Sequence, residues 1–316
     1  MIHMVIAITG ASGFIGSALM RRHLAAGDRV RILTRGLRPL PVGFGAVAFH
    51  GDLAQPDHTG LKGFVDGVDV LYHCAAEISV TERMQATNVD GTCALLAAAE
   101  GRVGRWVQLS SVGVYGRPSD GVVAEDAPMA PVGVYEETKA ASDKLVLESS
   151  RRGRLSTVVV RPSIVFGQEM PNQSIAAWVR VIDRGLFFFI GSPGASANYI
   201  HVSNVVDALM SCGSSAAAEG RVYNVSDWCT IETFVGAIAD AIGRPRPTLR
   251  LPELPVRAMV RAVGCMTRLP LTESRIDALV TRRRYPIDRI ERELGYRIAV
   301  PIVDGVTRML AAKQAA

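Results

Sequence analysis

The chain has 316 residues, of which 48% are hydrophobic and 21% charged, with a formal net charge of +5. That length supports one large or two closely joined domains with ample core, and the composition is that of an ordinary globular protein, neither fibrous nor disordered. The mild positive charge is spread out, without the interleaved basic and aromatic residues of single-strand nucleic-acid binders; a modest attraction for anionic substrates is the most it implies.

In chain order, Met4 to Ile8 is a run of apolar, partly β-branched residues and reads as a buried parallel strand. Thr9 and Gly10 break it. SALMRRHLAAG then follows Gly16 with apolar residues at helical spacing and a stop at Gly27. A strand thus enters a glycine turn and leaves as a helix. Gly10 permits a tight turn, Gly13 lets a pyrophosphate approach the backbone, and Gly16 lets the helix pack close to the strand. The free N–H groups and partial positive charge of the helix N-terminus suit a phosphate.

Asp28 to Leu33 reads as the second strand, ending in Thr34-Arg35. In NAD-specific folds of this type an acid at that place bonds the ribose hydroxyls. Thr34 carries no charge, and Arg35, with Arg38 nearby, can pair with a 2′-phosphate, so NADP is slightly favoured over NAD. Val47 to His50 leads into Gly51-Asp52-Leu53, and Val68 to His73 is a further core strand. The small residues Cys74-Ala75-Ala76 let the chain pass close to a cofactor, and His73 reads as a packed strand-end histidine. Glu77 to Thr81 is expected to line the cleft. Asn88 opens an alanine-rich helix through Ala99, and Arg105 to Leu109 is the fifth strand, ending in Ser110-Ser111.

Tyr135-Glu136-Glu137-Thr138-Lys139 opens a helix to about Ser150, and its spacing puts Tyr135 and Lys139 on one face. A phenol with an ordinary pKa of about 10 is a poor base at neutral pH. A neighbouring ammonium is expected to lower that value. Ser156 to Val160 is another strand, ending in Arg161-Pro162-Ser163-Ile164-Val165-Phe166-Gly167. Beyond it come a helix over Ser174 to Asp183, the apolar Phe187-Phe188-Phe189 (core or edge strand, or a substrate-facing wall) and Asn198 to Val202. Ser203 is the expected N-cap of a helix over Asn204 to Met210. Val222 to Val225 returns to the sheet, and Glu232 to Ile242 is an amphipathic helix ended by Gly243. Leu254 to Met266 has helical periodicity and fits a lobe helix better than a membrane-surface one.

Five scattered cysteines (Cys74, Cys93, Cys212, Cys229, Cys265) without a C-x-x-C pair point to reduced thiols in the cytoplasm and away from a zinc or other metal site. The N-terminus passes directly into the first strand, so no signal peptide is expected, and no apolar run is long enough to span a bilayer.

The string TGASGFIG, the N-V-D-G-T of Asn88 to Thr92, S-S-V-G-V-Y-G from Ser110, Y-E-E-T-K from Tyr135, R-P-S-I-V-F-G from Arg161 and N-Y-I-H-V from Asn198 occur in one order. Together they resemble the extended branch of the short-chain dehydrogenase/reductase superfamily, the NAD-dependent epimerase/dehydratase family. The resemblance covers the whole chain and is strongest up to Gly167. It implies an α/β fold: a doubly wound parallel (Rossmann) sheet over residues 1–167, completed by about 197–226, with a smaller C-terminal substrate lobe from 168–196 and 227–316. It further implies Ser111, Tyr135, Lys139 and Asn88 as catalytic residues. Gly10, Ser12, Gly13, Phe14, Ile15, Gly16, Arg35, Asp52, Leu53, Ala75, Ala76, Tyr135, Lys139, Pro162 and Val165 are implied to bind NADP or NAD. A homodimer through the helices starting near Asn88 and Tyr135 is expected, with Ala94, Ala97, Ala98 and Ala141 allowing close approach.

The leading expectation for function is a nucleotide-sugar 4-epimerase or 4-keto reductase. A 3β-hydroxysteroid-dehydrogenase-like oxidoreductase comes second, on the L-T-x-x-R, R-R-Y and E-L-G-Y pattern between Leu271 and Tyr296, and a non-catalytic dinucleotide-binding regulator third. Two departures narrow the field. Val112 and Gly113 stand where similar sugar 4,6-dehydratases have Asp-Glu, and Ala197 stands where epimerases place an arginine on the substrate diphosphate, leaving Arg275 or Arg282 for that role.

Overall fold

The computed structural model describes residues 3–36, 45–117, 120–170, 174–264 and 271–314. Arg38 and Cys265 lie outside the described residues. The first half alternates strand and helix: β1 (Val5–Thr9), α1 (Phe14–Ala25), β2 (Arg29–Thr34), β3 (Val47–His50), α2 (His58–Val65), β4 (Val68–His73), α3 (Thr81–Met84), a π-helical turn (Gln85–Asp90), α4 (Gly91–Ala99) and β5 (Val103–Leu109). A short 3₁₀ turn (Val112–Tyr115), β6 (Gly121–Val122), α5 (Val134–Arg151), β7 (Thr157–Pro162), β8 (Ile164–Phe166) and α6 (Ser174–Asp183) follow. The remainder holds β9 (Phe189–Ile190), β10 (Ser196–His201), α7 (Val202–Ser214), β11 (Val222–Val225), β12 (Asp227–Thr230) and α8 (Ile231–Ala241). It ends with β13 (Arg250–Leu251), α9 (Glu253–Gly264), α10 (Glu273–Val280), β14 (Arg283–Arg284), α11 (Asp288–Leu294) and α12 (Ile302–Gln314).

Seven parallel strands form the main sheet in the order β3-β2-β1-β4-β5-β7-β11. The central strands are apolar nearly throughout because helices cover both faces; Ile6, Ala7, Ile8, Leu71, Val158, Val159 and Val160 are completely buried. One core packs α1 and α7 against one face, and a second packs α2, α4 and α5 against the other. The chain runs outward from β1 in one direction and from β4 in the other, so the crevice between their carboxyl ends is the switch point where sheets of this kind take ligands.

Of residues 197–226, β11 joins the main sheet, whereas β10 sits with β8 and β12 in a separate three-stranded sheet. That sheet, α6, α8 and α12 enclose the lobe core, where Tyr199 stacks on Phe234 at 4.6 Å. Phe187 and Phe189 pack edge to face in this core, and Phe188 packs beside Ile190, so the three phenylalanines are core and edge-strand residues. Two other expectations resolve here. The cap of α7 is His201, whose Nδ1 accepts from the Ser203 amide at 3.3 Å; Ser203 itself lies inside the helix, its hydroxyl 2.7 Å from the same nitrogen. On α9, Val256 and Val260 face the lobe, and Arg257 pairs with Glu253, Glu273 and Asp277, which ties α9 to α10. No helix of the described residues is long and apolar enough to cross a membrane.

Candidate active site

The glycine turn has the shape its sequence requires. Gly10 has φ 70°, and a Cβ there would stand 2.7 Å from the Ala75 amide nitrogen. A Cβ on Gly16 would strike the Gly10 carbonyl oxygen, so α1 starts directly against the turn. Gly13 is the N-cap of α1; no side chain caps it, and its missing Cβ would meet only the Gly10 carbonyl, at 3.1 Å. The result is a backbone cradle with unpaired helix N–H groups, open to an anion and too tight for any side chain at Gly10 or Gly16. The turn after β4 closes it: the Cys74 amide donates to the Thr9 carbonyl at 3.2 Å. This cradle fits a dinucleotide pyrophosphate.

A buried relay joins the turn to Asn88. The Thr92 hydroxyl donates to the Asn88 carbonyl at 2.6 Å, which leaves its oxygen to accept from His73 Nε2 at 3.0 Å. His73 Nδ1 is then the acceptor for the Thr9 hydroxyl at 2.7 Å, and Thr9 Oγ1 in turn accepts from the Ala75 amide at 3.2 Å. Burial holds His73 well down, at about 3, so the ring is neutral and the proton directions are settled. His73 is therefore the packed strand-end residue expected of it.

The Asn88 side chain lies in the π-helical turn and fastens two other segments. Its Oδ1 accepts from the Glu77 amide at 2.7 Å, and its Nδ2 donates to the Glu77 carbonyl and to Thr138 Oγ1, at 3.0 Å each. Thr138 donates to the Tyr135 carbonyl at 2.9 Å, so the loop after β4 is bound to the first turn of α5. Glu77 also shapes that loop, its Oε1 accepting from the amides of Ile78, Ser79 and Val80. Those bonds, the Ser79 one first, and the Arg35 guanidinium hold its carboxyl below the usual range.

Ser111 ends the β5 connection, and its Oγ accepts from the Gly113 amide at 3.0 Å. Its own proton stays available for another oxygen. Lys139 is buried and donates to the Leu109 carbonyl at 2.6 Å, which sets the start of α5 against the end of β5. The Tyr135 phenol differs from the sequence expectation. It is pushed up to about 12, by burial first and then by the Glu136 and Asp143 carboxylates; the lysine does not bring it down here. Lys139 is itself held below the ordinary lysine value by burial. At neutral pH the phenol is therefore protonated, and it sits one helical turn from the buried Lys139.

After β3, Asp52 accepts from the Ala54 amide at 3.0 Å and from Arg83 Nη2 at 3.0 Å, and Arg35 is exposed just after β2. Pro162 closes β7, and Val165 lies on β8. Phe14 Cζ approaches the Cβ position of Gly167, so the start of α1 meets the segment after β8. Sequence reading passed over Thr138, the Thr9–His73–Thr92 relay, Arg83 and the buried Asp143–Arg161 pair. For Asp143 a signal existed: it follows Lys139 by one helical turn.

The NAD dependent epimerase/dehydratase family pattern matches residues 6–226 of this chain. The chain belongs to this family. It is an NAD-dependent enzyme of the extended short-chain dehydrogenase/reductase type, which sets aside the non-catalytic regulator. It is 25% identical to the 2-alkyl-3-oxoalkanoate reductase of Shewanella oneidensis, over 96% of this chain and 85% of that protein. It is 29% identical to a dTDP-glucose 4,6-dehydratase of Streptomyces griseus, over 96% of this chain and 92% of that one. Among solved structures, MoeE5 in complex with UDP-glucose and NAD aligns with a TM-score of 0.74 at 26% identity, covering 98% of this chain and 99% of that one.

Proposed function

We propose that this enzyme reduces a ketone to a secondary alcohol on a largely apolar molecule, and oxidises the alcohol in reverse. The carrying observation is a set of apolar side chains left in water on the segments that precede Tyr135 or follow β4 and β7. Ile78 and Val80 follow β4, Val132 and Val134 precede Tyr135, and Ile164 follows β7; all are 42–62% exposed. They stand at the carboxyl ends of the strands, where such sheets take ligands, and clustered exposed apolar surface marks a binding region. At two of the three expected places a diphosphate meets no free guanidinium. Ala197 is buried on β10, and Arg282 Nη2 donates to the carbonyls of Ser192 and Pro193 at 3.1 Å each.

Gly10, Ser12, Gly13, Phe14, Ile15 and Gly16 would hold the pyrophosphate, Asp52 and Leu53 the adenine side, and Ala75, Ala76, Pro162 and Val165 the nicotinamide side. When bound, the nicotinamide supplies the redox chemistry of alcohol–ketone exchange. Tyr135, its phenol protonated, gives a proton to the carbonyl oxygen. Ser111 donates a hydrogen bond to the same oxygen, Lys139 supports Tyr135, and Asn88 keeps the Glu77 loop against α5. Thr34 and Arg35 favour NADP, because a 2′-phosphate there meets a guanidinium and no acid. Dimerisation through α4 and α5 would use Ala97 and Ala141; Ala94 and Ala98 are already buried against this chain's own core.

The nucleotide-sugar reading stands second, on the likeness to MoeE5 in complex with UDP-glucose. Within it the dehydratase branch, although a dehydratase is among the relatives, lacks its acid, since Val112 and Gly113 stand where one is needed. The deciding experiment offers purified protein and reduced cofactor a long-chain 2-alkyl-3-oxoalkanoate, a 3-ketosteroid, and UDP- and dTDP-4-ketosugars. Cofactor oxidation with an apolar ketone is the expected result. Turnover confined to the nucleotide sugars overturns the first reading in favour of the second.

A further inference from the structure

Beneath the Tyr135–Lys139 pair lies a buried polar group that the proposed reaction does not use. Asp143 follows Lys139 by four residues on α5, on the same face, and is completely buried. Its Oδ2 accepts from Ser110 Oγ at 2.9 Å and from Arg161 Nε at 3.0 Å. Its Oδ1 is shut off from solvent without a hydrogen-bond partner. Arg161, also buried, donates through Nη1 to the Tyr115 hydroxyl at 3.0 Å, and its guanidinium lies 5.0 Å over the Tyr115 ring. Tyr115 donates onward to Asn224 Oδ1 at 2.8 Å. The arginine is thus fixed from two sides, and it fixes Asp143.

Lys139 is buried with a main-chain carbonyl as its hydrogen-bond acceptor. An ammonium so placed gives up its proton readily, because a carbonyl dipole does not replace the water it has lost. The groups around it are few. Tyr135, Glu136 and Asp143 lie on α5, His73 and Cys74 at the end of β4, Ser110 after β5, and Arg161 on β7. His73 is neutral, and burial pushes the Cys74 thiol up to about 12, so neither supplies negative charge. Asp143 is the fully buried carboxylate of this set. Burial pushes its own carboxyl up against the pull of Arg161 and Lys139, so its charge depends on both cations staying in place.

We propose that Asp143 is a positioning residue for Lys139: its carboxylate, pinned by Ser110 and Arg161, keeps the buried ammonium charged and aimed at the end of β5. Arg161 acts one step further back, by holding Asp143 ionised. The inference rests on Lys139 serving the proposed reduction, but its test needs no substrate, so either can fail without the other.

The chain has four lysines, Lys62, Lys139, Lys144 and Lys313, so lysine-labelled protein gives a readable NMR titration, with Lys139 assigned by its loss in Lys139→Met. In Asp143→Asn the Lys139 midpoint should fall by about one pH unit or more, the scale of losing a close opposite charge. Asp143→Glu, which restores a carboxylate, should bring it back. Asn at 143 also strands Arg161, so the double variant Asp143→Asn/Arg161→Met serves as a folding control; because it removes a nearby cation along with the anion, its Lys139 midpoint should lie below wild type but above that of Asp143→Asn. A Lys139 midpoint unchanged from wild type in Asp143→Asn, or above wild type in the double variant, overturns the proposal.

Discussion

Acid should weaken this fold through one buried histidine. His73 is held at about 3 against an ordinary 6.5, because burial disfavours the charged ring and the Lys139 cation adds to that. Between those values the unfolded chain binds a proton that the folded chain refuses. The stabilisation is therefore complete above pH 6.5 and is lost as pH falls towards 3. At about 1.4 kcal/mol per pH unit, a fall from neutral to about pH 4.5 removes about 2.7 kcal/mol. His73→Gln retains one donor for Thr92 and one acceptor for Thr9 but carries no proton that titrates in this range. Urea unfolding of both proteins from neutral pH to about pH 4.5 reads the difference, and wild type should lose about 2.7 kcal/mol more than the variant. Other groups that charge in acid, His23 among them, act in both proteins and cancel. Parallel pH curves would refute the account of the Thr9–His73–Thr92 relay.

Asn88→Ala removes three hydrogen bonds that tie the Glu77 loop to α5. At about 1 kcal/mol each, urea unfolding should show a loss of about 2–3 kcal/mol, with proteolysis concentrating near Ile78 to Val80; unchanged stability would show that the loop is held by other means. Arg35→Ala should weaken NADPH binding about tenfold or more and leave NADH within about twofold, as read by fluorescence titration, and equal losses for both would show that Arg35 does not read the phosphate. Light scattering at micromolar concentration should give the mass of a dimer and Ala97→Glu that of a monomer; a monomeric wild type rules the α4–α5 interface out.

Much of this was legible in the sequence, and the physics says why. β1, β3, β4, α6 and β11 came out within a residue of their true bounds because buried parallel strands are continuous apolar runs and helix ends are punctuated by glycine. The cradle was legible because its steric demands leave glycine alone at Gly10 and Gly16. The misses are of another kind. The π-helical turn at Asn88 has no periodicity to reveal it. The cap at His201 needs a side-chain rotamer, not a residue type. The Asp143–Arg161 pair joins α5 to β7, and nothing local pairs them. The rise in the Tyr135 phenol was missed because the sequence shows the neighbouring lysine but not the burial that outweighs it.

The central claim is that Tyr135 delivers the proton to the reacting oxygen. Tyr135→Phe removes that proton and leaves the glycine cradle, Asn88 and Lys139 in place. Steady-state turnover of the ketone found in the substrate panel should fall about a hundredfold or more, while cofactor affinity by fluorescence titration stays within about twofold of wild type. A variant that keeps more than about a tenth of the wild-type rate, with cofactor binding intact, contradicts the assignment, because general-acid catalysis by a placed side chain contributes at least that much.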